Sequence, residues 1–318
     1  MKRREFIRYS FGGASILMLP LGVNALTSGS KKRVRFGVCA DVHKDIMHDT
    51  DERLQTFIDE ASKQNLDFII QLGDFCRPYQ HNKEFLDIFN GYQGAKYHVI
   101  GNHDMDGGFS REQVLDFWGA DSKYYSFDHN GFHFIVLDGN DQNPSPDKAK
   151  GYARFVGKEQ LQWLENDLGA TNLPCVVFSH QSFENEDSGI ENQVQVRAIL
   201  EKANKVVACF SGHHHTDYAC SINGIYYIQI NSMSYSWLGG DYQTIRYSKE
   251  IDEKYPWIKY TVPYEKPLFA FVELDKRNIQ IEGAKSQFVG PGPNELGFPE
   301  QAKNSPVVPV ISNRKIKY

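Results

Sequence analysis

Val99-Ile100-Gly101-Asn102-His103-Asp104 is the stretch whose reading decides the fold. A short apolar run from Tyr97 to Ile100 stops at a glycine, and three polar side chains follow with no spacer. A buried strand gains nothing from Asn, His and Asp at its tip. A site does, because the strand holds such side chains rigidly while the loop beyond stays free to receive a ligand. A turn in which Asn and Asp bond their own backbone would account for this stretch alone. It does not account for four further strand tips with similar cargo.

Working outward, residues 34–40 read as a first strand, tipped by Asp41-Val42-His43. Leu54, Phe57, Ile58 and Ala61 fall at i, i+3, i+4 and i+7, which predicts a helix opening at Asp49 or Thr50. Residues 68–72 form a second apolar strand tipped by Gly73-Asp74, residues 83–89 a helix, and 97–100 the third strand. Near-continuous apolar runs alternating with helices predict parallel, buried strands joined by right-handed crossovers. Ser110-Arg111-Glu112-Gln113 is a capping box, and Asn130-Gly131 and Asn223-Gly224 each mark a hairpin. Between the hairpins come an irregular loop (139–156), a helix (158–168), a strand tipped by Ser179-His180, a second helix around Val196–Ala203, and a strand tipped by Gly212-His213-His214-His215. Residues 231–240 read as an aromatic, glycine-rich loop, 268–274 and 279–284 as a last strand pair, and the proline-containing tail as extended.

Five strand tips thus carry Asp41/His43, Asp74, Asn102/His103, His180 and His213/His215. In an open α/β sheet ligands sit beyond the carboxyl ends of the strands, so these tips converge on one crevice. Asp41 and His43 are two apart, as are His213 and His215. Extended backbone would aim both members of each pair to one side and send Val42 and His214 away. Mixed His, Asp and Asn donors without thiolate suit a catalytic pair of ions such as Fe, Mn or Zn. None of the five cysteines has the spacing of a structural zinc site or a disulfide framework, and they read as small buried hydrophobes.

Asp41-Val42-His43, Gly73-Asp74, Gly101-Asn102-His103-Asp104, His180 and Gly212-His213-His214-His215 resemble, in order, the motifs of calcineurin-like metallophosphoesterases. The resemblance implies a four-layer α/β/β/α sandwich with two metal ions at the strand C-terminal ends. It implies that Asp41, His43 and His215 hold one ion, that Asn102, His180 and His213 hold the other, and that Asp74 bridges both. His103 would protonate the leaving oxygen, with Asp104 as the partner fixing its ring. Two such ions generate hydroxide at neutral pH and clamp both oxygens of an in-line displacement at phosphorus. Purple acid phosphatases, a branch of this superfamily, place a tyrosine three residues after the bridging aspartate. Here that position is Arg77, a candidate phosphate contact. Gln181 and Ser182 are candidates for lining the pocket, and Tyr235 and Trp237 for stacking a flat leaving group.

The totals are ordinary for a soluble globular protein: 318 residues, 41% hydrophobic, 24% charged and a formal charge of −5. Residues 1–30 read as an export signal and short linker, 31–290 as the phosphoesterase domain, and 291–318 as the tail. Lys2-Arg3-Arg4-Glu5-Phe6-Ile7-Arg8 followed by the apolar stretch 11–23 resembles a twin-arginine signal, and Val23-Asn24-Ala25 reads as its cleavage site. Lys2 stands where that consensus has Ser or Thr, and Ile7 where Leu is commoner. Removing residues 1–25 takes away Lys2, Arg3, Arg4, Arg8 and Glu5, which moves the formal charge from −5 to −8. An acidic surface of that kind gives no broad attraction for nucleic acid or anionic membranes. The expectation is an exported, periplasmic phosphohydrolase cleaving phosphate mono- or diesters of small molecules, with the twin-arginine export machinery as partner and no stable membrane insertion once the signal is gone. The alternatives are a nucleotide pyrophosphatase of the ADP-ribose/CDP-alcohol type, for which Tyr124-Tyr125-Ser126-Phe127 is a further aromatic pointer, and a non-catalytic scaffold of the same fold.

Overall fold

Buried strands alternate with amphipathic helices and sort the chain into layers. The computed structural model describes residues 33–145, 151–299 and 306–318, so the signal expected over residues 1–30 lies outside the described residues. The first half supplies β1 (Arg33–Cys39), α1 (Thr50–Ser62), β2 (Phe68–Gln71), α2 (Lys83–Asn90), β3 (Ala95–His98) and α3 (Arg111–Trp118). A hairpin of β4 (Tyr125–His129) and β5 (Phe132–Val136) leads through α4 (Lys158–Ala170) to β6 (Cys175–Ser179), α5 (Gln193–Ala203) and β7 (Val206–Ser211). A second hairpin, β8 (Tyr218–Ile222) and β9 (Ile225–Gln229), precedes β10 (Tyr235–Trp237), α6 (Lys249–Lys254) and β11 (Thr261–Pro263). β12 (Ala270–Asp275), β13 (Asn278–Gly283) and β14 (Arg314–Lys317) come last.

Two six-stranded sheets result, ordered β14-β13-β12-β1-β2-β3 and β4-β5-β6-β7-β9-β8. β1, β2 and β3 run parallel, as do β5, β6, β7 and β9, while hairpin and edge strands are antiparallel. The sheets face each other across a dry core of alternating residues. Phe36 stacks on Phe68 at 5.0 Å and meets Phe178 and Phe210 of the other sheet edge-on at 5.6 and 5.8 Å. Leu54, Phe57, Phe85, Phe89 and Val114 of α1 to α3 cover the outer face of the first sheet. Leu161, Leu164, Val196 and Leu200 of α4 and α5 cover the second. The expected α/β/β/α sandwich is what forms.

Local signals acted as their chemistry dictates. Both arms of the Ser110/Gln113 capping box are made at the start of α3. Asn130-Gly131 and Asn223-Gly224 take positive φ at both positions, as a type I′ hairpin turn requires. The cysteines are all free, four of them buried. The segment read as a plain loop after residue 231 is more ordered than expected. It contains β10, and the stretch beyond it, to which the sequence assigned no element, adds the short helix α6, capped by Ser248, and β11, which pairs with β10. Three-residue strands are too short to display alternation, and Lys249–Lys254 has no apolar face to betray a helix. The tail ends in β14, paired to β13, with Ile311 buried and Asp217 bonded to Ser312 and Arg314. Among the described residues no helix is long and apolar enough to cross a membrane.

Candidate metal centre

The first sheet delivers Asp41 and His43 beyond β1, Asp74 beyond β2 and Asn102 beyond β3. The second delivers His180 beyond β6 and His213 and His215 beyond β7. The Asp and His side chains among them meet where the two sheets' carboxyl ends adjoin, and the Asn102 side chain is buried without a protein partner. Asp41 ties the sheets together, since both its carboxylate oxygens accept from the His213 backbone N–H at 3.1 and 3.0 Å.

The paired spacing works differently from the extended geometry expected. Asp41, His43, His213 and His215 have φ of 50°, 55°, 69° and 51°, and Asp74 also has 50°. These residues turn in left-handed conformations, at a cost of about 1–3 kcal/mol each for non-glycine residues. The remaining positive-φ non-glycine residues among those described are Asn130, Asn204 and Asn223, at turns and a helix end. Strain is therefore concentrated on the donor side chains. Glycines let these turns nest: a Cβ on Gly101 would strike the Asp74 backbone nitrogen and carboxylate, and one on Gly73 would reach His180 Nδ1 at 2.5 Å. Val42 does turn away into the core, but His214 lines the cleft and bonds Ser182 and Ser188 through its ring nitrogens.

The donor atoms form two groups, Asp41/His43/His215 and Asp74/His180/His213, each with its atoms within 4.8 Å of one another. Asp74 Oδ2 lies 3.2 Å from His180 Nε2 and 3.7 Å from His43 Nε2, so it reaches both. His43 Nε2 faces His215 Nε2 at 3.1 Å, and His213 Nδ1 faces His180 Nε2 at 3.2 Å. Lone pairs so close repel unless a cation or proton lies between them. Both polar atoms of the Asn102 side chain and Nδ1 of His215 are buried without a protein partner. Each such atom costs about 1–3 kcal/mol, which binding a cation through the Asn102 carbonyl would partly recover. Burial holds His43 and His213 well below the ordinary histidine value, keeping them neutral as ligands must be. Burial opposes charge on His180 too, but Asp74 and Asp41 outweigh it and lift its pKa to about 9. His180 Nδ1 donates to the Leu72 carbonyl at 2.7 Å, leaving Nε2 for the centre. The residues fit two metal ions.

Asp104 does not partner His103. Its carboxylate accepts from the backbone N–H groups of Asp74, Phe75 and Gly101 at 3.0, 2.7 and 2.8 Å, locking the β2 and β3 tips together. The partner is Asp106, 2.7 Å from His103 Nδ1. His103–Met105 forms a 3-10 turn, which carries residue i+3 beside His103 and turns Asp104 inward. Asp106 is also held by the Tyr152 hydroxyl at 3.0 Å and the Arg77 guanidinium at 3.1 Å. Burial disfavours charge on His103, but Asp74 and Asp106 outweigh it and raise its pKa.

A cleft of about 740 Å³ opens over the donors. Arg77, His103, Tyr235 and Trp237 line it, as does Trp257. Tyr235 is buried, its ring 5.0 Å from those of both His43 and His215. Gln181 is a correction: it is fully buried, donates to Asn140 and is absent from the cleft lining. Tyr124 to Phe127 also belong elsewhere. Tyr125 bonds the His98 backbone and Phe127 stacks on Tyr97. Asp106 was signalled by its i+3 spacing from His103, whereas Tyr152 and Trp257 come from segments whose sequence carries no periodicity.

A two-sheet sandwich with paired His/Asp clusters at its strand tips has the donor arrangement of a two-metal centre. The chain belongs to the calcineurin-like phosphoesterase family, whose model matches residues 34–217. Among curated proteins, it is 28% identical over 204 residues to a manganese-dependent ADP-ribose/CDP-alcohol diphosphatase of Arabidopsis thaliana, covering 48% of this chain and 65% of that one. The chain thus spans just under two thirds of that relative. A 3′,5′-cyclic-nucleotide phosphodiesterase of a Nostoc species is 23% identical over 188 residues, covering 55% of this chain and 66% of the relative. A dimetal phosphatase from Danio rerio shares the fold, with a TM-score of 0.60 at 17% identity over 80% of this chain and 98% of that one.

Proposed function

We propose that the enzyme cleaves the phosphoric anhydride of nucleoside diphosphate derivatives, of the ADP-ribose or CDP-alcohol kind. The observation carrying this reading is the cleft. At about 740 Å³ it has the size of a small-molecule site and sets exposed indoles beside the ligand clusters. The similarity to diphosphatases of that specificity adds support. Asp41, His43 and His215 would hold one ion and Asn102, His180 and His213 the second, with the Asp74 carboxylate placed within reach of both groups. Divalent ions bound there would supply Lewis acidity and lower the pKa of water. Asp41 and Asp74 are the only anionic donors in the set, and the neutral Asn102 leaves the centre net positive toward an anionic substrate. Arg77 adds a guanidinium at the cleft. Asp106 engages Nδ1 of His103, so the ring presents Nε2 to the leaving oxygen and donates its proton there.

Metal-stripped and manganese-reloaded enzyme should be assayed on ADP-ribose, a CDP-alcohol, an aryl monoester, a bis-aryl diester and a cyclic nucleotide. The reloaded enzyme should show its highest kcat/KM on ADP-ribose or the CDP-alcohol, releasing a nucleoside monophosphate. A clear preference for the monoester or the cyclic nucleotide would refute the assignment.

The first sheet carries the hydrolase fold past residue 290, where the sequence expectation ended it, through β14, and we also propose that the arginine pair near residue 3 directs the folded, metal-loaded chain through the twin-arginine route. Replacing Arg3 and Arg4 with Lys should strand folded precursor in the cytoplasm. Processing at the wild-type rate would count against that route.

A further inference from the structure

Residues 231–263 lie beyond the segment matched by the family model, yet they form one wall of the cleft. Their framework is rigid. β10 pairs with β11, placing Trp237 opposite Thr261, and Leu238 and Gly239 both donate to the Tyr260 carbonyl at 3.0 and 3.2 Å. Tyr260 packs between two indoles, with ring centroids 5.8 Å from Trp237 and 5.7 Å from Trp257. Both indoles line the cleft and remain 39% and 54% exposed, although the core would accept such side chains. Large aromatic surface held in water on a braced support, inside a cleft, is surface kept for a ligand.

The strand sets the scale. Tyr235 and Trp237 are two apart on β10 and share a face. Tyr235 touches the rings of His43 and His215, so Trp237 lies about 6–7 Å further along the strand. That is roughly the length of a ribose joining a phosphate to its base. Charge fits as well: an indole stacks a neutral heteroaromatic ring, while the cationic centre takes the phosphate.

Deepening the nucleotide reading above, we infer that Trp237 and Trp257, braced by Tyr260, form a base-stacking subsite that makes the enzyme selective for phosphates carrying a nucleobase. The subsite is sequence-tolerant, because stacking uses the face common to all bases. No residue of the hydrolytic centre belongs to it.

The test is binding, which keeps it separate from the diphosphatase assignment. The uncleavable phosphonate analogues of AMP and of ribose 5-phosphate are titrated calorimetrically into the metal-loaded enzyme. Wild type should prefer the nucleotide analogue. Trp237→Ala and Trp257→Ala should each cut that preference by about 5- to 150-fold, the range for losing one stacked base, and Phe at either position should keep most of it. Equal affinity of wild type for the two analogues would overturn the subsite, as would a preference that survives in the double Ala variant. The wild-type comparison and the Phe variants decide the matter even should an Ala variant misfold. Base preference without ADP-ribose turnover would sink the diphosphatase reading and leave the subsite standing, and turnover without base preference would do the reverse.

Discussion

Asp74→Asn should abolish turnover and strip the enzyme of metal at both positions. Asp74 Oδ2 stands within 3.2 Å of His180 Nε2 and 3.7 Å of His43 Nε2, one in each cluster. The substitution removes one of two anionic donors and weakens both sites at once. It should leave the backbone intact, because residue 74 sits at φ 50° and Asn accepts left-handed φ better than most residues. The amide oxygen can still accept the His103 N–H that Asp74 Oδ1 now takes at 2.8 Å. The loss is therefore electrostatic rather than a failure to fold. Elemental analysis beside thermal unfolding checks this, and a variant retaining two ions per chain with near-normal activity would refute the shared role of Asp74.

His103→Asn should keep both ions, because His103 is not placed among the ligands, and should lower turnover in a way that depends on the leaving group. General acid catalysis contributes about 10²–10⁴-fold when the leaving oxygen needs a proton. An alkyl ester or diphosphate should lose about that factor. A nitrophenyl ester, whose leaving group departs as a stable anion, should lose much less. Asp106→Asn should weaken the same discrimination through the His103 ring, while Asp104→Asn should instead destabilise the fold, since three backbone N–H groups depend on that carboxylate. Equal losses of the two ester classes in His103→Asn would mean that His103 stabilises the phosphoryl group rather than donating a proton.

The contrast between Asp104 and Asp106 shows where sequence reading stopped. Strand tips were legible because a continuous apolar run ending in Asp, His or Asn is improbable as core, and the helices because Leu54, Phe57, Ile58 and Ala61 keep their period. What escaped were features set by local backbone turns. Adjacency along the chain favoured Asp104 for His103, but a single 3-10 turn made Asp106 the neighbour. Spacing of two suggested extended pairs at 41/43 and 213/215, and the actual left-handed turns bring the same side chains to the same place by another path. Gln181, next to His180, turned into the interior because its amide meets Asn140. The cleft wall was only half legible. Trp237 stood in a visibly aromatic stretch, whereas Trp257 reaches the cleft through contacts with Tyr260 that no local pattern encodes.

Two ions held by seven side chains from two sheets are the core of the proposed mechanism. Anomalous diffraction from crystals of the manganese-loaded enzyme tests that most directly. Two peaks are expected, one among Asp41, His43 and His215, the other among Asn102, His180 and His213, with Asp74 in contact with both. A single peak, or a second ion lying outside these residues, would contradict it.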